Sequence, residues 1–270
     1  WLDCMKLRVL SLGAGVQSST LALMIEHGDI PMVDCAIFAD TMAEPKEVMD
    51  HLSWLKGKLS YPLHIVSKGN LTEDTIDIVE GRSPRKFMDI PFYTVNKETG
   101  KKGLLKRQCT SDYKITPVHQ KIRQLLGLQK GEKRKRGTEV ELLMGISIDE
   151  IVRMKENHVP WVKNVFPLID NNISRQDCKN WFNERYQRQL PRSACIYCPY
   201  KTNGEWQYMK NEMPQEWDRA VEFDRKIRYG TTTDDSVFVH RSCKPLEEVT
   251  FKEEVTQYSL LDECDGMCGV

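Results

Sequence analysis

The chain has 270 residues, ordinary hydrophobic and aromatic content, and 39 basic against 39 acidic side chains, for a formal net charge of zero. That length suits one large domain, or one of ordinary size with a small appendage, and the balanced charge gives no global argument for a nucleic-acid or membrane partner. No run of about 18 apolar residues is present, so no membrane-spanning helix is expected; residues 1–6 are too short and too polar for a signal peptide, which makes a cytoplasmic location the expectation.

Residues 7–12 form a short apolar run that reads as a strand. A turn holding Gly13 and Gly15 follows, and residues 18–27 read as a helix stopped by Gly28. Residues 33–39 are a second buried strand. Pro45 suits the first position of a helix reaching about residue 59. Residues 63–66 read as a third strand, and Asn70 can cap a helix ending at Val79. Residues 96–108 and 129–137 read as loops, and 139–146 as a later strand. From about residue 171 this rhythm gives way to polar helices, tryptophans and cysteines. Alternating strands and helices imply an α/β fold with a parallel sheet over residues 1–170, followed by a smaller, mainly helical, cysteine-rich region over 171–270 that ends in a mobile tail. Ligands of such sheets bind beyond the carboxyl ends of the strands, so the segments after the first two strands are the first candidates.

Ser11-Leu-Gly-Ala-Gly-Val-Gln-Ser-Ser19 has the composition of an anion site. Gly13 and Gly15, flanking Ala14, allow a tight turn and close backbone approach. The N–H groups at the helix start and the Ser18 and Ser19 hydroxyls can donate to a phosphate. No Gly-Lys-Ser/Thr follows, which excludes a Walker A loop, and the third glycine of a dinucleotide fingerprint is missing.

Nine cysteines without an export signal read as metal or catalytic thiols rather than a disulfide frame. Cys35 sits in an apolar run and reads as core; Cys4 and Cys178 read as structural. Cys195-Ile-Tyr-Cys198-Pro places two thiols at the spacing that binds one metal or one cluster face, with Arg188, Arg192 and Lys201 nearby to favour thiolates. A tetrahedral zinc or a [4Fe–4S] cluster wants four ligands. Cys243 is a candidate for one of them, with His240 as a substitute. The basic run Lys130-Gly-Glu-Lys-Arg-Lys-Arg136 is either a solvated surface loop or a polyanion contact.

Several of these segments resemble one family. Gly13-Ala-Gly-Val-Gln-Ser18 resembles the PP-loop of the adenine nucleotide α-hydrolase superfamily, with Gly13 in place of its first serine and Gln17 in place of its aspartate. Phe38-Ala-Asp-Thr-Met-Ala-Glu-Pro45 resembles the Asp-Thr-Gly...Pro-Glu-Thr segment of PAPS reductases. Arg107-Gln-Cys-Thr-Ser-Asp-Tyr-Lys-Ile-Thr-Pro117 is similar to their Cys-Cys...Lys-x-x-Pro segment, with Thr110 at the second cysteine. Gly145-Ile-Ser-Ile-Asp-Glu-Ile-Val-Arg153 and Phe166-Pro-Leu-Ile169 resemble two further segments in the same order.

The resemblance implies a PP-loop (HUP-like) domain binding ATP or a related adenine nucleotide with Mg²⁺. The nucleotide would lie on Ser11, Gly13, Ala14, Gly15, Gln17, Ser18, Ser19, Asp40, Thr41, Glu44, Arg107 and Gly145, with Lys114 and Arg153 acting on the substrate. It implies a [4Fe–4S] cluster on Cys109, Cys195 and Cys198; Cys243 is the candidate fourth ligand, an iron left open is the alternative, and zinc is the alternative metal. Glu263-Cys-Asp-Gly-Met-Cys268 resembles the Glu-Cys-Gly tail of sulfonucleotide reductases, which implies a nucleophilic Cys264 with Cys268 as its partner; the alternative is that both complete the metal site. Three functions follow as expectations. The first is adenylylation-dependent sulfur transfer to a nucleobase or other acceptor, with the loop at 130–136 contacting nucleic acid and the sulfur or electron donor unspecified. The second is reduction of a sulfated adenine nucleotide through Cys264. The third is a non-enzymatic, zinc-stabilised nucleic-acid-binding module. A homodimer is compatible with each.

Overall fold

The computed structural model describes residues 6–134, 136–229 and 235–251. The chain runs through β1 (Lys6–Leu12), α1 (Val16–His27), β2 (Cys35–Ala39), α2 (Lys46–Lys56), β3 (Leu63–Val66), α3 (Leu71–Val79), β4 (Tyr93–Asn96) and β5 (Lys102–Leu104). A π-helical turn, Ser111–Ile115, leads into α4 (Thr116–Leu125). Then come β6 (Glu139–Met144), a 3-10 segment (Ile148–Arg153), β7 (Val162–Val165), α5 (Pro167–Asp170), α6 (Arg175–Tyr186), α7 (Asn203–Glu212), α8 (Pro214–Ile227) and β8 (Asp235–Phe238).

The main sheet has the order β3-β2-β1-β6-β7 with every pairing parallel, as the alternating strand and helix signals predict. The chain fills one side of β1 through β2 and β3, then crosses to β6 and β7 on the other. The topological switch point therefore lies between β1 and β6, at whose carboxyl ends stand the glycine loop and Gly145. Successive strand residues face opposite sides. Leu10, Phe38 and Leu143 join α1, α2 and α6 in one core, whereas Val9, Ile37 and Leu142 join Val118 and Ile122 of α4 in another. Helix α1 is buried on every side from Val16 to Ile25, because α6 covers the face that the sheet leaves open; Cys178 and Phe182 of α6 belong to that core.

Boundaries differ from the sequence expectation where burial and pairing part company. Val33 is buried, but the ladder with β1 begins at Cys35, opposite Val9. Pro45 caps α2 from outside in an extended conformation instead of opening it, and that helix ends at Lys56. Asn70 caps α3 as expected, its Oδ1 accepting from the Thr72 and Glu73 amides at 3.0 and 3.3 Å. The expected loop at 96–108 is in part a strand. β5 pairs with β4, and β4 with β8, in a small antiparallel sheet. Lys102-Gly-Leu is exposed throughout and carries no apolar alternation, so nothing in its pattern marks it as a strand. A third core gathers Phe92, Tyr113, Trp206, Phe223 and Val237 beneath this sheet.

No helix among the described residues is long and apolar enough to cross a membrane. The basic loop at 130–136 precedes β6 and so lies at the amino end of the sheet. Six residues of β6 at about 3.3 Å each place it roughly 20 Å along the strand from the glycine loop.

Candidate functional site

The glycine loop turns on Ala14, the buried residue in the left-handed region with φ 58°; Gly15 is extended, at φ −94° and ψ −171°, and Gly13 does not have a positive φ. An alanine there costs about 1–2 kcal/mol relative to ordinary backbone. The turn that sequence reading assigns to the glycines is thus made by the residue between them, and the glycines leave the backbone around it bare. The Ser18 hydroxyl closes the loop by accepting from the amides of Gly13 and Gly15 at 3.2 and 3.3 Å. Gly145 presses directly on this turn, since a Cβ on it would stand 2.7 Å from Ser18 Cα. Ser11 is buried in β1, between Ile37 and Met144 in the ladder. The Ser19 hydroxyl faces α2, where it lies 2.9 Å from His51 Nε2.

Gln17 is fully buried. Its Nε2 donates to Ser147 Oγ at 3.3 Å, and its Oε1 accepts from Arg175 Nη1 at 3.0 Å. Arg175 also lies 3.7 Å from Glu150, which takes Arg153 at 2.5 Å. The glutamine that stands where the resembling loop has aspartate is therefore held in a charged network from α6 and the 3-10 segment. Arg153 was expected at the site; Ser147, Glu150 and Arg175 were not singled out. Ser147 and Glu150 lie inside the resembling segment at 145–153, which was the signal available for them, and nothing in the sequence pattern marks Arg175.

The loop after β2 brings the second and third motifs together. Asp40 Oδ1 accepts from the Met42 amide at 2.7 Å, which fixes Met42 at φ 58°. Thr41 Oγ1 donates to Glu44 Oε1 at 3.2 Å and lies 3.4 Å from Cys195 Sγ, which itself is 3.6 Å from that carboxylate oxygen. Lys114, buried in the π-helical turn, reaches the same oxygen at 3.5 Å. The Ile196 amide donates to Ala43 O at 2.8 Å, and the Cys198 amide closes a turn on Cys195 O at 3.1 Å. The Gln108 and Cys109 amides are both anchored on Asp89 O.

One cleft is lined by Thr41, Arg107, Cys109, Lys114, Cys195 and Cys198, among others. Arg107 lies over the Tyr200 ring at 5.3 Å and donates to Thr110 Oγ1 at 3.1 Å. Behind it Lys201 is buried, and its ammonium is pushed below the usual lysine range by desolvation, which the Cys198 and Cys195 thiols and Glu44 oppose.

Three of the four expected cluster ligands thus share a cleft. Cys243 is not among its lining residues. It sits in the turn after β8 at φ 58°, with Sγ 3.7 Å from Arg241 O, and burial raises its thiol pKa. His240 has both ring nitrogens engaged, by Ser242 Oγ and Asn203 Oδ1. Cys264 and Cys268 lie outside the described residues. Cys35 and Cys178 are buried in the core as expected, and burial pushes the Cys35 thiol up to about 11.

An iron–sulfur cluster fits the chemistry of this cleft at three positions. Three thiols face it, lysine and arginine surround it, and the buried Glu44 Oε2 has no hydrogen-bond partner. Among the described residues no group of three or more His, Cys, Asp or Glu side chains closes on a single ion.

The fold and site define an α/β protein with an open parallel sheet, a glycine loop at its switch point and a thiol-lined cleft beside it. No protein-family model matches the chain, and no curated protein matches it in sequence. Among solved structures the chain is similar to phosphoadenylyl-sulfate (PAPS) reductase from Candida auris, determined as a phosphate complex. The alignment has 15% identity and a TM-score of 0.42, and covers 69% of this chain and 73% of that one.

Proposed function

We propose that the protein is a PAPS-reductase-like enzyme that binds ATP with Mg²⁺ at the glycine loop and transfers sulfur to an adenylylated acceptor, with a [4Fe–4S] cluster in the thiol cleft. The observation that carries this reading is the convergence of Thr41, Cys109, Lys114, Cys195 and Cys198 in one cleft, drawn from three segments distant in sequence, with Glu44 in contact with Thr41, Lys114 and Cys195. The cleft opens off the loop after β2, the strand next to β1, so both lie at the carboxyl end of the sheet.

The helix start after Gly15 and the Ser18 hydroxyl suit the phosphate groups. Attack of an acceptor oxygen on the α-phosphorus forms the adenylate and releases pyrophosphate; sulfide-level sulfur then displaces AMP, with no net redox change. Lys114 and Arg107 hold anionic groups over the thiols, and Glu44 holds Lys114 in place. Cys109, Cys195 and Cys198 would hold the cluster, which supplies a site for sulfur or electrons.

The test is anaerobic purification with iron, sulfide and zinc assays on one sample. About four irons and four sulfides per chain are expected, with loss of both in Cys109→Ser, Cys195→Ser and Cys198→Ser. The same assay on Cys243→Ser decides whether that residue is the fourth ligand. Stoichiometric zinc without sulfide would overturn the cluster.

A second reading, reduction of a sulfated adenine nucleotide by Cys264, is favoured by the two cations in the thiol cleft, which suit a sulfonate. It requires covalent labelling of the wild-type chain by the sulfated nucleotide and loss of the label in Cys264→Ser.

A further inference from the structure

The small antiparallel sheet is basic in a chain whose net charge is zero. Residues 92–107 and 235–245, which build it and its borders, hold five lysines and two arginines against Glu98 and Asp235, and Asp235 is held by Asn96 Nδ2 at 2.9 Å. Phe92, Val237 and Val239 face the core beneath, and Gly103 abuts Thr94 Oγ1 on that same side. By alternation Tyr93, Val95, Lys102 and Leu104 face outward, and Lys102 and Leu104 are exposed. Lys102 Nζ donates to Ser242 O at 3.2 Å, so the turn that carries the exposed Arg241 and Lys244 borders this outer face. At the hairpin end Lys97 lies over the Tyr229 ring at 5.7 Å, and Tyr229 is 74% exposed.

Among the described residues none of the five lysines, at 97, 101, 102, 106 and 244, is in an ion pair. Lysines also keep an edge strand from pairing with another chain. That role needs them on β5 alone and does not account for Lys97, Arg241 and Lys244 around it. The face runs into the thiol cleft. Ile90 and Pro91, just before β4, and Arg107 and Cys109, just after β5, line that cleft, where Arg107 lies over the Tyr200 ring. Two extended residues span about 7 Å, so Tyr93 stands roughly that far from Pro91 at the rim. The basic loop at 130–136, in contrast, lies at the amino end of the main sheet, before β6.

We propose that this face binds a single-stranded nucleic acid and leads it to the thiol cleft, with its phosphates on the lysines of β5 and of the bordering turn and its bases on Tyr93 and Tyr229. Cations spread along an extended face track a polyanionic backbone, and aromatic rings stack on bases of any sequence. A duplex keeps its bases paired and stacked on one another, so it can use the lysines but not the rings. The strand's part as sulfur acceptor rests on the sulfur-transfer reading above; its binding to this face does not.

The test is fluorescence anisotropy of the full chain, without ATP, against labelled DNA and RNA single strands of about twenty nucleotides and the matching duplexes. A single strand of one sugar or the other is expected to bind, about tenfold more tightly than its duplex, with an affinity that falls as salt rises. Lys102→Glu, Lys106→Glu and Lys244→Glu should each weaken binding about tenfold at low salt and reduce the slope of log affinity against log salt by about 1. Tyr229→Ala should weaken it about fivefold or more, and Tyr229→Phe should restore it. Lys130→Glu and Lys133→Glu, in the loop before β6, should leave it unchanged. All these side chains are exposed, so the variants should fold, and unchanged melting checks this. The proposal is overturned if no single strand binds at low salt, if the duplex binds as tightly, if polyglutamate displaces the strand as well as unlabelled strand does, or if binding follows the 130–136 loop and not the sheet. Strand binding by a chain without iron and sulfide would overturn the sulfur-transfer reading alone; a chain with a full cluster and MgATP affinity that binds no strand would overturn this proposal alone.

Discussion

Replacing Gly145 with alanine tests whether the end of β6 bears directly on the glycine loop. The added Cβ would stand 2.7 Å from Ser18 Cα, 2.8 Å from Ser18 N and 3.0 Å from Ser18 Cβ. The first two are backbone atoms in the opening turn of α1, which cannot swing aside as the tip of a long side chain can. Ordinary carbon contact then needs a retreat of roughly 0.8 Å. Overpacking of this kind costs about 1–3 kcal/mol, or roughly 2–12 °C in melting temperature for a chain of this size. The same retreat pulls the Ser18 hydroxyl off the Gly13 and Gly15 amides, so MgATP affinity should fall about tenfold or more. Thermal melting and calorimetric titration with MgATP read the two effects separately. Gly204→Ala is the control, because its Cβ meets nothing nearer than 3.9 Å and it lies within α7, where alanine should stabilise by about 0.5–1 kcal/mol. A Gly145→Ala chain that melts and binds like the wild type would refute the close approach. A lowered melting temperature with unchanged MgATP affinity would uphold the contact and refute the loop as the nucleotide site.

Gln17→Leu removes the amide that joins Ser147 and Arg175, and should destabilise by about 1–3 kcal/mol in urea denaturation. His51 should make the protein acid-sensitive. Burial and Arg188 lower its pKa to about 4, so the unfolded chain binds the extra proton first as pH falls below its ordinary value of 6.5. Stability from this group is present above that value and is lost progressively down to about pH 4, by roughly 3 kcal/mol in full. His51→Gln should flatten that part of the stability profile in urea melts between pH 7 and 5; an unchanged slope would show that the imidazole is not held neutral. Cys35, with its thiol near 11, should resist alkylation in the native protein at pH 8 and react only on unfolding, as mass mapping of the labelled peptides would show.

Four of the five strands of the main sheet were legible because their signals are local; the edge strand β7, whose pairing with β6 defines it, was not. Strand-like runs of four to eight residues separated by capped helices leave few alternatives to parallel strands, and Gly28 and Asn70 mark helix ends through their own backbone and side-chain chemistry. The small sheet was not legible. β5 is three exposed residues, and its partner β4 pairs with β8 more than 130 residues later, so only tertiary packing defines it. The thiol cleft lies between these cases. The Cys195 and Cys198 spacing named two of its residues and the resemblance named Cys109 and Lys114. That Thr41 and Glu44 touch Cys195 depends on the loop after β2 folding onto residues 195–196, which no spacing encodes.

The same distinction explains Gln17. In sequence it is a departure from an aspartate pattern, and in isolation it weakens the case for a nucleotide loop. In the fold its amide lies between Ser147 and Arg175, and Arg175 is within reach of Glu150, which also takes Arg153. An aspartate here would be a buried carboxylate drawing Arg175 away from Glu150, and would leave the Ser147 hydroxyl without a donor. Glutamine accepts from the arginine without competing for its charge and donates to the serine at its other end, as only an amide can. Residue 17 therefore belongs with the arginine network rather than with a metal.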